Sequence, residues 1–198
     1  MQHVWGLLAH PENEWKAIRK EGCPIGSCYI LHVMLLAAIP PVCGYFGTTL
    51  IGWQIGAREA VKLIPQNALT IAILYYLVML VGVLTLAALI HWMGQTYGAR
   101  KPFSHSVALA GYTATPLFLI GVMQLYPLLW LNLIAGLPAL AYTVYLLFSG
   151  VPIMMGISKE RGFLFSSAVL AVGLVMLVGL LAASVILWSV GAGPAFTA

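Results

Sequence analysis

Aspartate does not occur in this chain, and glutamate occurs only at Glu12, Glu14, Glu21, Glu59 and Glu160. With nine Lys and Arg, charged residues make up 7% of the 198 positions. Soluble domains carry about 25%, and a water-facing surface cannot be built from so few. A soluble enzyme or binding module is therefore excluded. So is nucleic-acid recognition, which needs a basic face, because the net charge of +4 sits in short clusters between apolar runs. None of the five carboxylates lies inside an apolar run. Ser149, Ser158 and Ser184 accordingly have no histidine and acid at their depth to make a nucleophile. Neither a glycine-rich phosphate loop nor an H-E-x-x-H motif occurs. The chain is expected to be non-enzymatic.

What is abundant is apolar: 62% hydrophobic residues and a mean hydropathy of +0.98. This is the composition of an integral membrane protein. A crossing helix needs about 20 apolar residues, and five stretches qualify, at about 25–53, 68–97, 104–125, 130–158 and 163–188. The expected fold is all-α, a polytopic bundle of five transmembrane helices in one domain spanning 1–198, with 1–24 as a cytoplasmic interfacial segment. That segment has no uninterrupted apolar core and mixes acids among its bases, unlike a signal peptide, so it is expected to be retained.

With five spans, the N-terminus and the second and fourth loops share one side. That side holds Lys16, Arg19, Lys20, Arg100, Lys101, Lys159 and Arg161, whereas the other holds only Arg58 and Lys62. The asymmetry predicts a cytoplasmic N-terminus and an external C-terminus. Trp53, Tyr126, Trp130 and Trp188 fall at the outer boundary, and Trp92, Tyr97 and Phe103 at the inner one. The stretch "HPENEWKAIRKEG" predicts a short helix, with Pro11 at its first position, acids in its first turn, bases in its last, and Gly22 as its stop. Trp15 and Ile18 share a face. This segment is read as a helix on the membrane surface, with docking of a cytoplasmic partner as the alternative.

Metal chemistry is weakly signalled. Cys28 and His32 are four apart, but no second Cys/His pair completes a site with Cys23 or the distant Cys43. No metal or other cofactor is expected. His91 and Gln95, four apart, and His105 across a short loop predict a polar cluster at the cytoplasmic mouth. Prolines say more. Pro40 and Pro41 should break the first span. In the fourth, Pro138, Tyr142, Tyr145, Ser149 and Pro152 form a stripe at helical spacing. The third span supplies a matching stripe of Ser104, Ala108, Gly111 and Thr115, which predicts a close contact between spans three and four. In "GYTATP", Pro116 cannot donate to the carbonyl of Tyr112, and the Thr115 hydroxyl is placed to bond it instead.

The segments "GYTATPLFLIG", "YTVYLLFSGVPIMMGISKERG" and "LIHWMGQTYGARKPFSHS", with a P-x-x-x-W opening from Pro11 to Trp15, resemble the Ypt-interacting-protein (Yip) family over essentially the whole chain. The resemblance implies five spans and a cytoplasmic N-terminus. It marks Tyr112 and Pro116 of span three, Tyr142, Tyr145, Gly150 and Pro152 of span four, and His91 as family-pattern positions; with Thr115 they form the candidate binding set. Eukaryotic members associate with Rab-type GTPases. Only about 24 residues precede the first span here, so the GTPase partnership is not carried over, and the chain resembles a compact bacterial branch. The expected partners are the lipid bilayer, other membrane proteins and copies of itself. The expected role is membrane organisation or interaction through the spans. The alternative is a solute, ion or lipid transporter or channel with a cavity between spans three and four.

Overall fold

The computed structural model describes residues 2–22, 29–54 and 60–189; Cys23, Cys28 and Arg58 lie outside them. Among the described residues the protein is all-α. Five helices are long and apolar enough to cross a bilayer: His32–Ile51, Pro65–Thr96, Phe103–Leu125, Leu129–Met155 and Lys159–Ile186. This is the polytopic class that the composition predicts. Isolated bridges between Trp53 and Val61 and between Gln54 and Leu128 tie the loops at one end.

Proline sets where helices start and break. Pro65 opens the second span and Pro102 immediately precedes the third. In the first span the α-helix ends at Ala37 and restarts over Ile39–Phe46, which carries Pro40 and Pro41, with π-helical turns at Tyr29–Met34 and Gly47–Ile51. The third breaks at Ala114, between helices Phe103–Thr113 and Thr115–Ile120, and finishes as a 3₁₀ turn, Gly121–Leu125. The two broken spans pack together: a side chain at Gly121 would run into Pro40. The fourth span stays helical through Pro138 and Pro152.

Ahead of the spans lie two helices, α1 (Gln2–Ala9) and α2 (Pro11–Glu21). Gly22 ends α2 in the left-handed conformation, at φ 59°, its N–H bonded to the Ile18 carbonyl. The two helices form a hairpin. Gly6 leaves room for the Glu14 carboxylate to pass α1, and His3 lies between Glu14 and Glu21, its Nε2 3.0 Å from the Glu21 carboxylate.

One edge of this hairpin docks on the bundle. Leu7 and Trp15 are 0% exposed and Ile18 2%, because the apolar edge of the hairpin is buried in the bundle. Trp15 lies flat against Gly150 of the fourth span, where a Cβ would fall 2.7 Å from the indole. Arg19 donates to the Ile153 carbonyl at 2.9 Å, in the last turn of that span, where helical carbonyls lack partners and a cation suits the dipole. The main core therefore sits at the end of the bundle carrying the basic loops, with Ile90, Leu109, Leu146, Met154 and Phe165 fully buried. Tyr97 stacks on Phe165 there at 4.9 Å. The third span is the most buried and the fifth the least.

This packing makes Gly150 sensitive. Gly150→Ala should destabilise the protein by about 1–3 kcal/mol, the usual cost of overpacking. Gly136→Ala, where a Cβ meets nothing within 4 Å, should not. Thermal unfolding in detergent checks this, and equal midpoints for the two variants would contradict it.

Candidate functional site

The spans converge with the N-terminal hairpin on Tyr112. Gly111, Tyr112 and Thr113 are the last residues before the break at Ala114, and all three are buried. Around the Tyr112 ring stand His32 of the first span at 4.2 Å, His3 of α1 edge-on at 5.8 Å, and Trp15 of α2 edge-on at 6.4 Å. Aromatic pairs of this geometry attract beyond the area they bury. One helix turn on, the Thr115 hydroxyl meets His32 Nε2 at 2.8 Å, with His32 3% and Thr115 1% exposed. The hub thus joins four elements through two histidines, a tyrosine, a tryptophan and a threonine. Trp15 Nε1, His32 Nδ1 and Thr113 Oγ1 are buried there without a hydrogen-bond partner among the described residues.

Two expectations about "GYTATP" are corrected. Thr115 does not bond the Tyr112 carbonyl. Its hydroxyl lies 3.5 Å from the Gly111 carbonyl, a weak bond, and its short contact is to His32. The expected close contact of spans three and four is present, along both helices of span three, but Gly111 is not the residue that makes it. A Cβ on Gly111 would meet Val33 of the first span at 2.6 Å, so this glycine packs against span one. Leu109 faces span four instead, 3.0 Å from a Cβ placed on Gly150. The reason is the hairpin: α1 and α2 occupy the polar side of span four that the sequence pattern assigned to span three.

Tyr142 shows this directly. Its hydroxyl donates to the carbonyls of Leu7 at 2.7 Å and Leu8 at 3.1 Å. Those are the last-turn carbonyls of α1, which lack helical partners. Gly150 lies under Trp15, and Pro152 packs on Gly162 at the start of span five. Tyr145 keeps a tilted ring contact with Tyr142 at 5.6 Å and is 49% exposed on an outer groove. His91 stands edge-on to Phe103 at 5.6 Å, while His105 lies beside Ile18, Gly22 and Ser104. Among the described residues no hydrogen bond joins His91, Gln95 and His105. The structure brings Tyr112, Thr115, Tyr142 and Gly150 to the hub and its hairpin; Pro116 is buried beside Thr115, Tyr145 touches Tyr142 from the outer groove, and His91 and Pro152 lie elsewhere.

His3, Glu14, Glu21 and the His32–Thr115 pair are absent from the sequence-derived site. An ionisable residue inside an apolar span is a functional candidate by default, and that signal was present at His32. Its spacing to Cys28 drew it towards metal binding instead. Among the described residues no group of three His, Cys, Asp or Glu is arranged to hold a metal.

Comparison with known proteins places the whole chain in one context. A model of the Yip1 domain matches residues 5–190. The chain is 47% identical over 191 residues to the inner membrane protein YohC of Escherichia coli strain K12, covering 96% of this chain and 98% of that protein. The protein of that name from Escherichia coli O6:H1, strain CFT073, matches to the same extent. No solved structure matches the chain.

The hub makes a prediction that separates the two roles of Thr115. Thr115→Val strands His32 Nε2 and should cost about 1–3 kcal/mol, the price of an unsatisfied buried group. Because the partner is His32, the loss should be as large in a Pro116→Ala background and much smaller in a His32→Leu background. Thermal unfolding of the double-mutant cycles reads this, and a loss that vanishes with Pro116→Ala would restore the repair of the proline break as the main role.

Proposed function

Because the chain belongs to the Yip1 domain family, we propose that it is a non-enzymatic membrane-organising protein. It acts by packing its spans against the transmembrane helices of other membrane proteins, copies of itself included. The name of the Escherichia coli relative supports an inner-membrane location. The seven bases on one side against two on the other support a cytoplasmic N-terminus.

One observation carries this reading. Spans two and five diverge to leave an apolar groove of about 430 Å³, lined by Leu77, Val78, Val81, Gly82, Gly179 and Leu180 among others. A Cβ placed on Gly82 or Gly179 would meet nothing within 4 Å. Glycine inside a helix weakens it, and within a membrane it serves close approach of backbones. These two glycines face outwards, so the helix that approaches them comes from another molecule. The bulky residues around them are exposed too, among them Leu77, Val78, Val81 and Leu180.

A carrier built between spans three and four has less support. Tyr112 and Thr115 are 5% and 1% exposed, and the space beside Gly150 is filled by Trp15. Glu14 and Glu21, carboxylates that a proton-coupled carrier would use, are engaged with His3 in the hairpin.

Replacing both glycines tests the reading. Gly82→Leu with Gly179→Leu should lower site-specific cross-linking to helices of neighbouring proteins in intact membranes at least fivefold, with the melting midpoint unchanged. Val175→Leu, at an exposed site outside the groove, should change neither. Undiminished cross-linking of the glycine variant would count against this surface.

A further inference from the structure

A second groove lies at the opposite end of the sequence's logic: it has charge at its mouth. It runs between α2, the last turns of span four and the first turns of span five, with a volume of about 610 Å³. Its walls are aromatic and apolar, from Tyr145, Phe148 and Phe163, and Phe148 and Phe163 are in ring contact at 5.3 Å. Phe163 is 60% and Tyr145 49% exposed. At its mouth stand Lys16 of α2 and Lys159, the first residue of the fifth helix, together with Glu12. The three are not paired: the salt bridges among the described residues are those of His3 with Glu14 and Glu21.

We infer that this groove binds one glycerophospholipid whose headgroup carries a net single negative charge, the phosphodiester on Lys16 and Lys159 and an acyl chain along Phe163, Phe148 and Tyr145. The inference is independent of the helix-packing surface proposed above, which lies between spans two and five.

Charge and depth carry it. Lys159 begins a span, so its ammonium stands at headgroup level while its stem lies on apolar surface. Lys16 approaches the same mouth from the docked helix α2. Two ammonium groups lining one groove, neither of them in a salt bridge, offer a site for a phosphate, which lysine binds as a point charge. Below them the walls turn apolar within one helix turn. From Pro152 back to Tyr145 they follow about 10 Å of helix into the bilayer. A soluble phosphate compound would use the mouth and leave this wall bare; an acyl chain uses both. Glu12 sets the charge limit. It leaves the mouth with a net single positive charge, which a phosphodiester neutralises and a doubly ionised phosphate monoester overshoots.

The test uses the full chain in detergent, with lipids added singly and binding read by native mass spectrometry and by thermal shift. Phosphatidylglycerol should bind and raise the melting midpoint. Phosphatidylcholine, whose quaternary ammonium faces the lysines, and glycerophosphoglycerol, the same diester without the chains, should bind at least tenfold more weakly. Lys16→Gln with Lys159→Gln should weaken phosphatidylglycerol binding at least tenfold without changing the lipid-free midpoint, since neither lysine makes an internal ion pair. Phe163→Ala should weaken the lipid alone. Glu12→Gln should raise affinity for phosphatidic acid relative to phosphatidylglycerol. Equal binding of phosphatidylglycerol and phosphatidylcholine, or binding indifferent to the two lysines, would overturn the site. Glycerophosphoglycerol binding as tightly as the lipid would overturn it in favour of a soluble phosphate ligand.

Discussion

The contact of Trp15 with Gly150 organises this protein. An indole is the largest apolar side chain available, and burying it completely in a bundle needs a partner without a side chain. Gly150 supplies that partner, and Leu109 of span three closes the contact from the other side. Once Trp15 is seated, the rest of the hairpin follows. Arg19 reaches the end of span four, Tyr142 reaches the end of α1, and His3 reaches the Tyr112 ring. Without the hairpin, span four would present Tyr142, Gly150 and the Ile153 carbonyl to lipid.

The cross-ties share one chemistry. Within a bilayer every backbone polar group needs a partner from the protein, and this chain frees carbonyls at helix ends and proline breaks. Side-chain donors from other elements satisfy several of them. Tyr142 takes those of Leu7 and Leu8, Arg19 that of Ile153, and Tyr76 of span two that of Met34 in the π-helical turn of span one. Within span one itself, Thr48 and Thr49 donate one turn back to the carbonyls of Gly44 and Tyr45. Irregular helices thus become the means of joining spans. The buried His32–Thr115 pair fixes the register of the two broken helices beside each other, because a shifted register would leave two polar groups unpaired in the core.

Much of this was legible in the sequence, and what was not has a physical reason. Hydropathy marks the spans, because each must match the bilayer thickness whatever its neighbours are. The prolines mark the breaks in spans one and three, and Pro11 and Gly22 mark the ends of α2, because these effects are local. Partner choice was not legible. The stripe in span four identified a surface that seeks protein, but helical spacing cannot say which element covers it. The third span was the natural choice by sequence order, whereas α1 and α2 cover Tyr142 and Gly150. The same holds for Thr115. A bond to its own helix is foreseeable from spacing, while one to His32, 83 residues away, depends on tertiary packing.

A core concentrated at the basic end leaves Leu133, Ile134 and Leu137 of span four and Val175 and Val178 of span five exposed. That division suits a protein with an anchored, rigid base and outer faces available to lipid and to other helices. It depends on the hairpin being part of the bundle. Hydrogen exchange of the protein in lipid nanodiscs tests this most directly, since amides in docked helices exchange only by unfolding events whereas those of a loosely attached surface helix open readily. The account predicts that the amides of α2 from Trp15 to Glu21 are protected to the same degree as those of Leu146 to Met155, and that both lose protection together in Trp15→Ala. Exchange of α2 at the rate of an undocked peptide, with span four fully protected, would contradict it.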